Sequence, residues 1–456
     1  MLFCLMAIAA ALRFFRLGNQ SLWVDEIASM NGADPDLSIA SVLQYSAVDQ
    51  PPSFFLLLHG WLKIFPFTDV SGRWLAALLG LAGVYLIYFL GKELRNELTG
   101  LIASCITTFS FIHIYFSQEV RFYTLVFVAA TGSFLYFIKA IRTEKIKHFA
   151  GYIGFTSLLI YTHYYGLVVL AAQGFVFVLV VVSMRPTRKF FLRGFFSAAM
   201  ITALIAPWIP IFFSDIKTQQ FWIPAEPFYF PIKYFYVYFK DVVACIVFGS
   251  ALIYYFIKVW NGYRINGRIS ASDGVLISST FLGYLIPVVY SIVQTPMLQE
   301  RYTMVVLPNV IVMISIGIAQ VPKRYGLMAL GVSSLSAFLS LVFIERFYED
   351  PRKEDWRGVV DLVIKESQPT QPIVSRHAWY CNYYFKSRKS DIRALLPAEV
   401  PAPPTASSYW YLDGFDLPKE NSPIEASWIE QGYIPIRTYS LHRARATLYV
   451  LEKKDQ

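Results

Sequence analysis

The chain has 456 residues, 56% of them hydrophobic and 17% aromatic but only 16% charged. A soluble domain needs about 25% charged residues to cover its surface, so this composition excludes a string of ordinary soluble domains and points to a membrane protein. The net charge of +9 does not indicate nucleic acid, because the basic residues sit in short loops that alternate with loops nearly free of Lys and Arg, which is the positive-inside pattern of membrane topology.

A hydrocarbon core of about 30 Å needs roughly 20 apolar residues per helix. Runs of that order fall near 1–16, 72–91, 98–116, 122–141, 149–164, 166–184, 194–213, 237–257, 275–294, 302–320 and 325–344, predicting about eleven spans. The first run lacks a charged leader and a small-residue cleavage site, so it reads as a retained span rather than a signal peptide. With the N-terminus inside and an odd number of crossings, the C-terminus lies outside. The basic loops around Lys92 and Arg95, Lys139 to Lys147, Arg185 to Arg193, Lys258 to Arg268, and Lys323 with Arg324 then all face the cytoplasm. The four cysteines (Cys4, Cys105, Cys245 and Cys381) form no CxxC pattern and no evident disulfide framework.

The first outer loop, 17–71, carries two apolar segments. DPDLSIASVLQYS predicts a short helix capped by Asp34 or Asp36, and PPSFFLLLHGWLKIF a second that starts at proline and is too short to span, hence interfacial. Further outer segments are 117–121, 161–165, 214–236 and 295–301. Beyond about residue 345 the apolar runs shorten to strand length (PIVSRHA, SSYWYLDGF, IPIRTYSL, ATLYVLEK) and alternate with the helical stretches EDWRGVVDLVIKES and ENSPIEASWIEQG. This predicts a small α/β domain over 345–456, following a membrane domain over 1–344 that includes the whole first loop. No internal repeat is evident, which disfavours a transporter built from inverted halves.

Several outer-edge residues are candidates for chemistry. A carboxylate in the bilayer costs about 2.5–3.5 kcal/mol, so acids this close to a span must face water, a cation or a partner. Asp25 and Glu26 are such a pair, readable as a solvated acid beside a helix cap or as a catalytic base in a cavity. Glu119 and Arg121 sit at a junction with almost no loop, either as a snorkelling ion pair or as a second carboxylate and an anion ligand. Arg301, next to Tyr302, is either a headgroup anchor or a fork for a lipid phosphate. Asp49 and Gln50 precede Pro51 and Pro52 and either point into the cavity or cap the helix that follows. His59 and His163 read by default as satisfied, partly buried histidines, and no HxxxH or HExxH spacing supports zinc. Lys353 to Trp356 read as a docking element for the tail.

In order along the chain, RFFRLGNQSLWVDE, DQPPSFFLLLHGWLKIF, GRWLAALLGLAGVYLIYFLGKEL, FSQEVRFYTL, YTHYYGL, APWIP, RYTMVVLP and KEDWR resemble the bacterial membrane glycosyltransferases related to protein O-mannosyltransferases. These are the GT-C class, family 39 with its lipid A-modifying relatives, and the resemblance covers residues 13 to about 357. It implies a polytopic α-helical membrane fold of GT-C type with a small C-terminal α/β extracytoplasmic domain, in the bacterial cytoplasmic membrane. The implied reaction moves a sugar from a polyprenyl-phosphate donor to a glycan, lipid or protein acceptor on the outer face, with inversion. By matching positions it implies Asp25 and Glu26 at the active site and Glu119 as a further acid, which could hold Mg²⁺ or Mn²⁺. Family members often have His or Lys where this chain has Gln50, which leaves Arg121 and Arg301 as candidates for the donor phosphate; Asp49, Gln50, His59, Glu119, His163 and Tyr302 are candidates to line the donor or acceptor cavity. The alternatives are a lipid-linked oligosaccharide flippase or transporter, disfavoured by nearly uncharged mid-span positions, and a glycan polymerase using the same donors.

Overall fold

The computed structural model describes residues 1–184, 187–218, 223–414 and 422–452, without the side chains of 49, 183, 184 and 215–218. Arg185 and the side chain of Asp49 therefore lie outside the described residues. The chain divides into two compact units: Met1–Phe15 with Asp36–Trp61 and Arg73–Tyr348, and Arg16–Pro35 with Leu62–Gly72 and Glu349–Gln456.

The first unit is helical and belongs to a multi-pass membrane protein. Among the described residues, seven helices are long and apolar enough to cross a bilayer: Asp69–Leu94, Tyr123–Thr143, Tyr165–Val182, Arg188–Ser214, Val242–Asn266, Ala271–Val293 and Lys323–Ile344. An eighth candidate is the pair Glu97–Phe109 and Phe111–Ser117, bent by 64° at Ser110. The predicted count of eleven is not confirmed. The runs at 1–16, 149–164 and 302–320 yield only the helices Leu2–Phe14, Ile146–Ile160 and Leu307–Ala319, of 13, 15 and 13 residues. Their remaining residues go into turns and, in the last run, the 3-10 helix Glu300–Val305, which an apolar count cannot tell from a continuous span. Leu307–Ile318 is buried along its whole length, as expected of a core helix.

The bend at Ser110 has an identifiable support. Breaking a helix strands carbonyls that would have accepted bonds from the next turn, and in apolar surroundings each costs about 1–3 kcal/mol if left unmet. Arg13, wholly buried, donates to Thr107 O at 3.0 Å, to Thr108 O at 3.4 Å and to His113 Nδ1 at 2.9 Å. Ser110 Oγ donates to Tyr238 O at 2.9 Å. The basic residue that closes the first apolar run in sequence is thus an internal cap for a broken helix.

The second unit holds a five-stranded sheet in the order β2-β1-β3-β5-β4. Its strands are β1 (Ile373–Val374), β2 (Ala394–Leu395), β3 (Ser408–Gly414), β4 (Tyr433–Leu441) and β5 (Ala444–Leu451). β1 runs parallel to β2 and β3, while β5 is antiparallel to β3 and β4. β3 is buried throughout, as a central strand should be. The aromatic core consists of Tyr409, Tyr411, Trp428, Tyr433 and Tyr449 around Val374. Helices Trp356–Glu366 and Pro423–Glu430 form where the sequence predicts them. Helix Ala378–Ser387 does not show in the sequence, because AWYCNYYFKS has no clear polar face.

Two parts of the first outer loop belong to this second unit, which departs from a boundary at 344/345. The reason is the KEDWR segment. Lys353 Nζ donates to Glu26 at 2.7 Å. Asp355 accepts from Ser21 Oγ at 2.7 Å while capping helix Trp356–Glu366 through Gly358 N at 2.9 Å. Arg357 donates to Gly18 O, Asn19 O and Asp69 Oδ2 at 2.8, 2.9 and 3.0 Å. The loop helix predicted to be capped by Asp34 or Asp36 runs over Ile39–Asp49 and is capped by Ser38, which accepts from Ser41 N at 3.1 Å. Asp34 instead accepts from Lys386.

Replacing Arg13 by Met should strand the Thr107 and Thr108 carbonyls and cost roughly 2–4 kcal/mol. Thermal melting in detergent measures this, and an unchanged melting temperature would show that the bend does not need its cap.

Candidate active site

The two acids of the first outer loop lie in the first turn of helix Val24–Gly32, where the helix dipole favours negative charge. They are not equivalent. Glu26 is fully buried, accepts from Trp23 N at 3.4 Å and is paired with Lys353 at 2.7 Å. A carboxylate held in this way acts as a structural anchor, because withdrawing it would leave a buried ammonium uncompensated. Asp25 is half-buried. Nearby, burial together with the charges of Glu354 and Asp25 pushes the Tyr380 phenol well above its ordinary range. Glu354 is buried and lies 3.5 Å from Arg443, and its Oε2 has no hydrogen-bond partner. The reading of Lys353 to Trp356 as a docking element is consistent with the pairing of Lys353 with Glu26.

In the first unit, three chain junctions assemble a second cluster. Arg121 lies over the ring of Phe122, 4.7 Å from its centroid. The His163 ring is 5.2 Å from Phe122 and 4.8 Å from Tyr302. Arg301 lies over Tyr302 at 5.4 Å. The result is a ladder of guanidinium, ring, imidazole, ring, guanidinium, built by cation–π and aromatic contacts. Tyr165 packs on both His163 and Tyr302, at 5.4 and 5.3 Å, and donates its hydroxyl to Met297 O at 2.6 Å, which fixes the 295–301 segment.

His163 Nδ1 accepts from Tyr165 N at 3.1 Å, so that nitrogen carries no proton. Burial, and then the positive charges of Arg301 and Arg121, bring its pKa from 6.5 down to about 3. The imidazole is therefore neutral at physiological pH, between the rings that carry the two guanidiniums.

Sequence-predicted residues thus fall into two groups. Arg121, His163, Arg301 and Tyr302 come together; Phe122, the rung that joins them, was not singled out. Glu119 is buried two residues from Arg121. Gln50 is half-buried, and its Oε1 has no hydrogen-bond partner among the described residues. The helix that follows Gln50 begins with Ser53 N donating to Tyr161 O at 2.9 Å, which brings the proline-pair segment against the turn holding His163. His59 is buried further along that helix. Asp25 and Glu26 belong to the other unit.

Among the described residues, no three His, Cys, Asp or Glu side chains group as a metal site. Mg²⁺ and Mn²⁺ often take only one or two carboxylates and complete their shells with substrate phosphate and water. Glu119 fits an ion in that mode alone.

Residues 49–211 match the family described as dolichyl-phosphate-mannose-protein mannosyltransferase. No curated protein matches the chain by sequence. Among solved structures, ArnT from Cupriavidus metallidurans in the apo state superposes with a TM-score of 0.68 at 10% identity, over 98% of this chain and 97% of that one. The same protein bound to undecaprenyl phosphate gives 0.63 at 9% identity with the same coverage. The Archaeoglobus fulgidus oligosaccharyltransferase AglB, in complex with an inhibitory peptide and a dolichol-phosphate, gives 0.54 at 10% identity, over all of this chain and 74% of that one. The chain therefore has the ArnT-like GT-C fold, with a small C-terminal sheet domain.

A depressed histidine pKa means that the folded protein binds fewer protons than the unfolded chain, so the contribution of His163 to stability is lost as pH falls from about 6.5 towards 3. Between about pH 5 and 8 the ring does not titrate, and the pH–activity profile of His163→Gln should keep the wild-type shape. A limb near neutrality that vanishes in the variant would instead make His163 a proton carrier.

Proposed function

We propose that this protein is a glycosyltransferase of the bacterial cytoplasmic membrane. It moves a sugar from a polyprenyl-phosphate donor to an acceptor on the outer face, with its N-terminus inside and its C-terminal domain outside. The observation that carries this reading is the Arg121–Phe122–His163–Tyr302–Arg301 ladder, in a fold shared over 98% of the chain with a protein solved with undecaprenyl phosphate bound.

The chemistry follows from charge. As the sugar–phosphate bond breaks, the sugar passes through an oxocarbenium-like state and negative charge grows on the departing phosphate. Guanidiniums fixed by aromatic rings before the reaction stabilise that charge without reorganising. Arg121 and Arg301 have this role, and a neutral His163 adds no competing proton donor at Nδ1. A divalent ion on Glu119, if bound, would add further charge compensation to the same phosphate.

On the acceptor side a base must take the hydroxyl proton as the new glycosidic bond forms. Asp25 is the assigned base. Glu26 is the weaker choice, since its carboxylate is committed to Lys353 and to Trp23 N. Attack by the acceptor opposite the leaving phosphate gives inversion. The uncharged faces of the long helices favour this enzyme reading over a transporter, which would need ionisable groups along a path.

Purified protein incubated with radiolabelled polyprenyl-phosphate sugars and membrane acceptor fractions tests the proposal. Asp25→Asn should lower donor turnover by about 10²-fold or more with wild-type melting behaviour, whereas the loss in Glu26→Gln should come with a lower melting temperature. A parallel EDTA arm tests the ion on Glu119. Normal turnover by Asp25→Asn would remove it as the base.

A further inference from the structure

A cavity lined by both cations and apolar side chains lies far from the ladder. Helix Tyr123–Thr143 starts beside Arg121 and runs 21 residues, about 30 Å. At its far end Arg142 donates to Ser272 Oγ at 2.7 Å. Beside that contact is a cavity of about 990 Å³ where the helices ending near Arg95, Val180 and Asn266 converge on the start of Ala271–Val293. This volume is at the upper end of the range of about 300–1,000 Å³ typical of small-molecule pockets.

The lining has two chemistries. One side is apolar: Val176, Leu179, Val180 and Ile269 contribute to it, and Leu179 and Ile269 leave 43% and 48% of their surfaces uncovered. The other side is cationic, with Arg95, Lys258 and Arg268 against a single carboxylate, Asp273. That carboxylate is already engaged: it accepts from Arg95, from Tyr255 OH at 3.0 Å and from Ser270 Oγ. Lys258, stacked over Tyr254 at 5.2 Å, and Arg268 are both exposed. The cavity thus has surplus positive charge beside an open hydrocarbon wall, at the end of the bundle where the basic loops gather.

We propose that this cavity binds an anionic phospholipid, with its phosphate on Lys258 and Arg268 and an acyl chain along Val176, Leu179 and Ile269. A soluble anion would use only the cations and leave the apolar wall wet. A zwitterionic lipid would gain little from the unbalanced charge, whereas each basic side chain near an anionic headgroup strengthens its attraction. No residue of the proposed transfer chemistry takes part, so the site stands or falls independently of that reaction.

The test is thermal melting and native mass spectrometry of delipidated protein in detergent. Phosphatidylglycerol, phosphatidylcholine and inorganic phosphate are titrated separately into wild type, Lys258→Ala/Arg268→Ala, and a control pair Lys145→Ala/Lys147→Ala on a neighbouring basic loop. Phosphatidylglycerol should stabilise wild type and the control pair and remain bound on ionisation. In Lys258→Ala/Arg268→Ala its apparent affinity should fall by about tenfold or more, from the loss of two headgroup cations. Both replaced side chains are exposed, and equal melting temperatures of the lipid-free proteins verify that the variant folds. Equal stabilisation by phosphatidylcholine, an undiminished phosphatidylglycerol effect in the variant, or an equal response to inorganic phosphate would each overturn the proposal.

Discussion

A charge removed from water in so apolar a chain must either find a counter-charge or hydrogen bonds, or give up its charge. This constraint governs the buried ionisable groups of both units. Arg13 keeps its charge by capping a broken helix, and Glu26 does so by pairing with Lys353. His163, among two guanidiniums and three aromatic rings, is instead neutral. A capped or ion-paired group is committed to the fold, so the groups left for chemistry are those whose cost is met only partly inside the protein.

The ladder shows how aromatic rings can orient two guanidiniums at the edge of a membrane domain. An aromatic face orients a guanidinium through its quadrupole and van der Waals contact while leaving its net charge in place. The same rings pack against His163, whose neutrality avoids placing a third positive charge beside the other two. The fold supplies the frame: three junctions, at 121–123, 161–165 and 299–302, bring one rung or two each.

Much of the fold was legible in the sequence, because apolar runs, basic loops and strand-length segments reflect the simple requirement that hydrocarbon meets hydrocarbon. Span number was less so, since a run such as 302–320 contains both part of a 3-10 helix and a 13-residue core helix. The capping role of Arg13 does not show in the sequence, because its partners Thr107 and Thr108 are far away along the chain. The proposed phosphate ligands were legible one by one as cations at outer junctions. Their assembly was not, because it runs through Phe122 and Tyr302, and aromatic residues are too common in this chain to signal a role. The difference between Asp25 and Glu26 was likewise invisible until Lys353, more than three hundred residues on, was placed against one of them.

The measurement that bears most directly on this account is the affinity of the purified protein for undecaprenyl phosphate, in wild type and in Arg121→Gln, Arg301→Gln and the double variant. If the ladder holds the lipid phosphate, each single variant should bind about tenfold or more weakly, the scale of a charge-assisted contact, and the double variant more weakly still, with each protein melting normally. Wild-type affinity in the double variant would place the phosphate elsewhere and contradict the account.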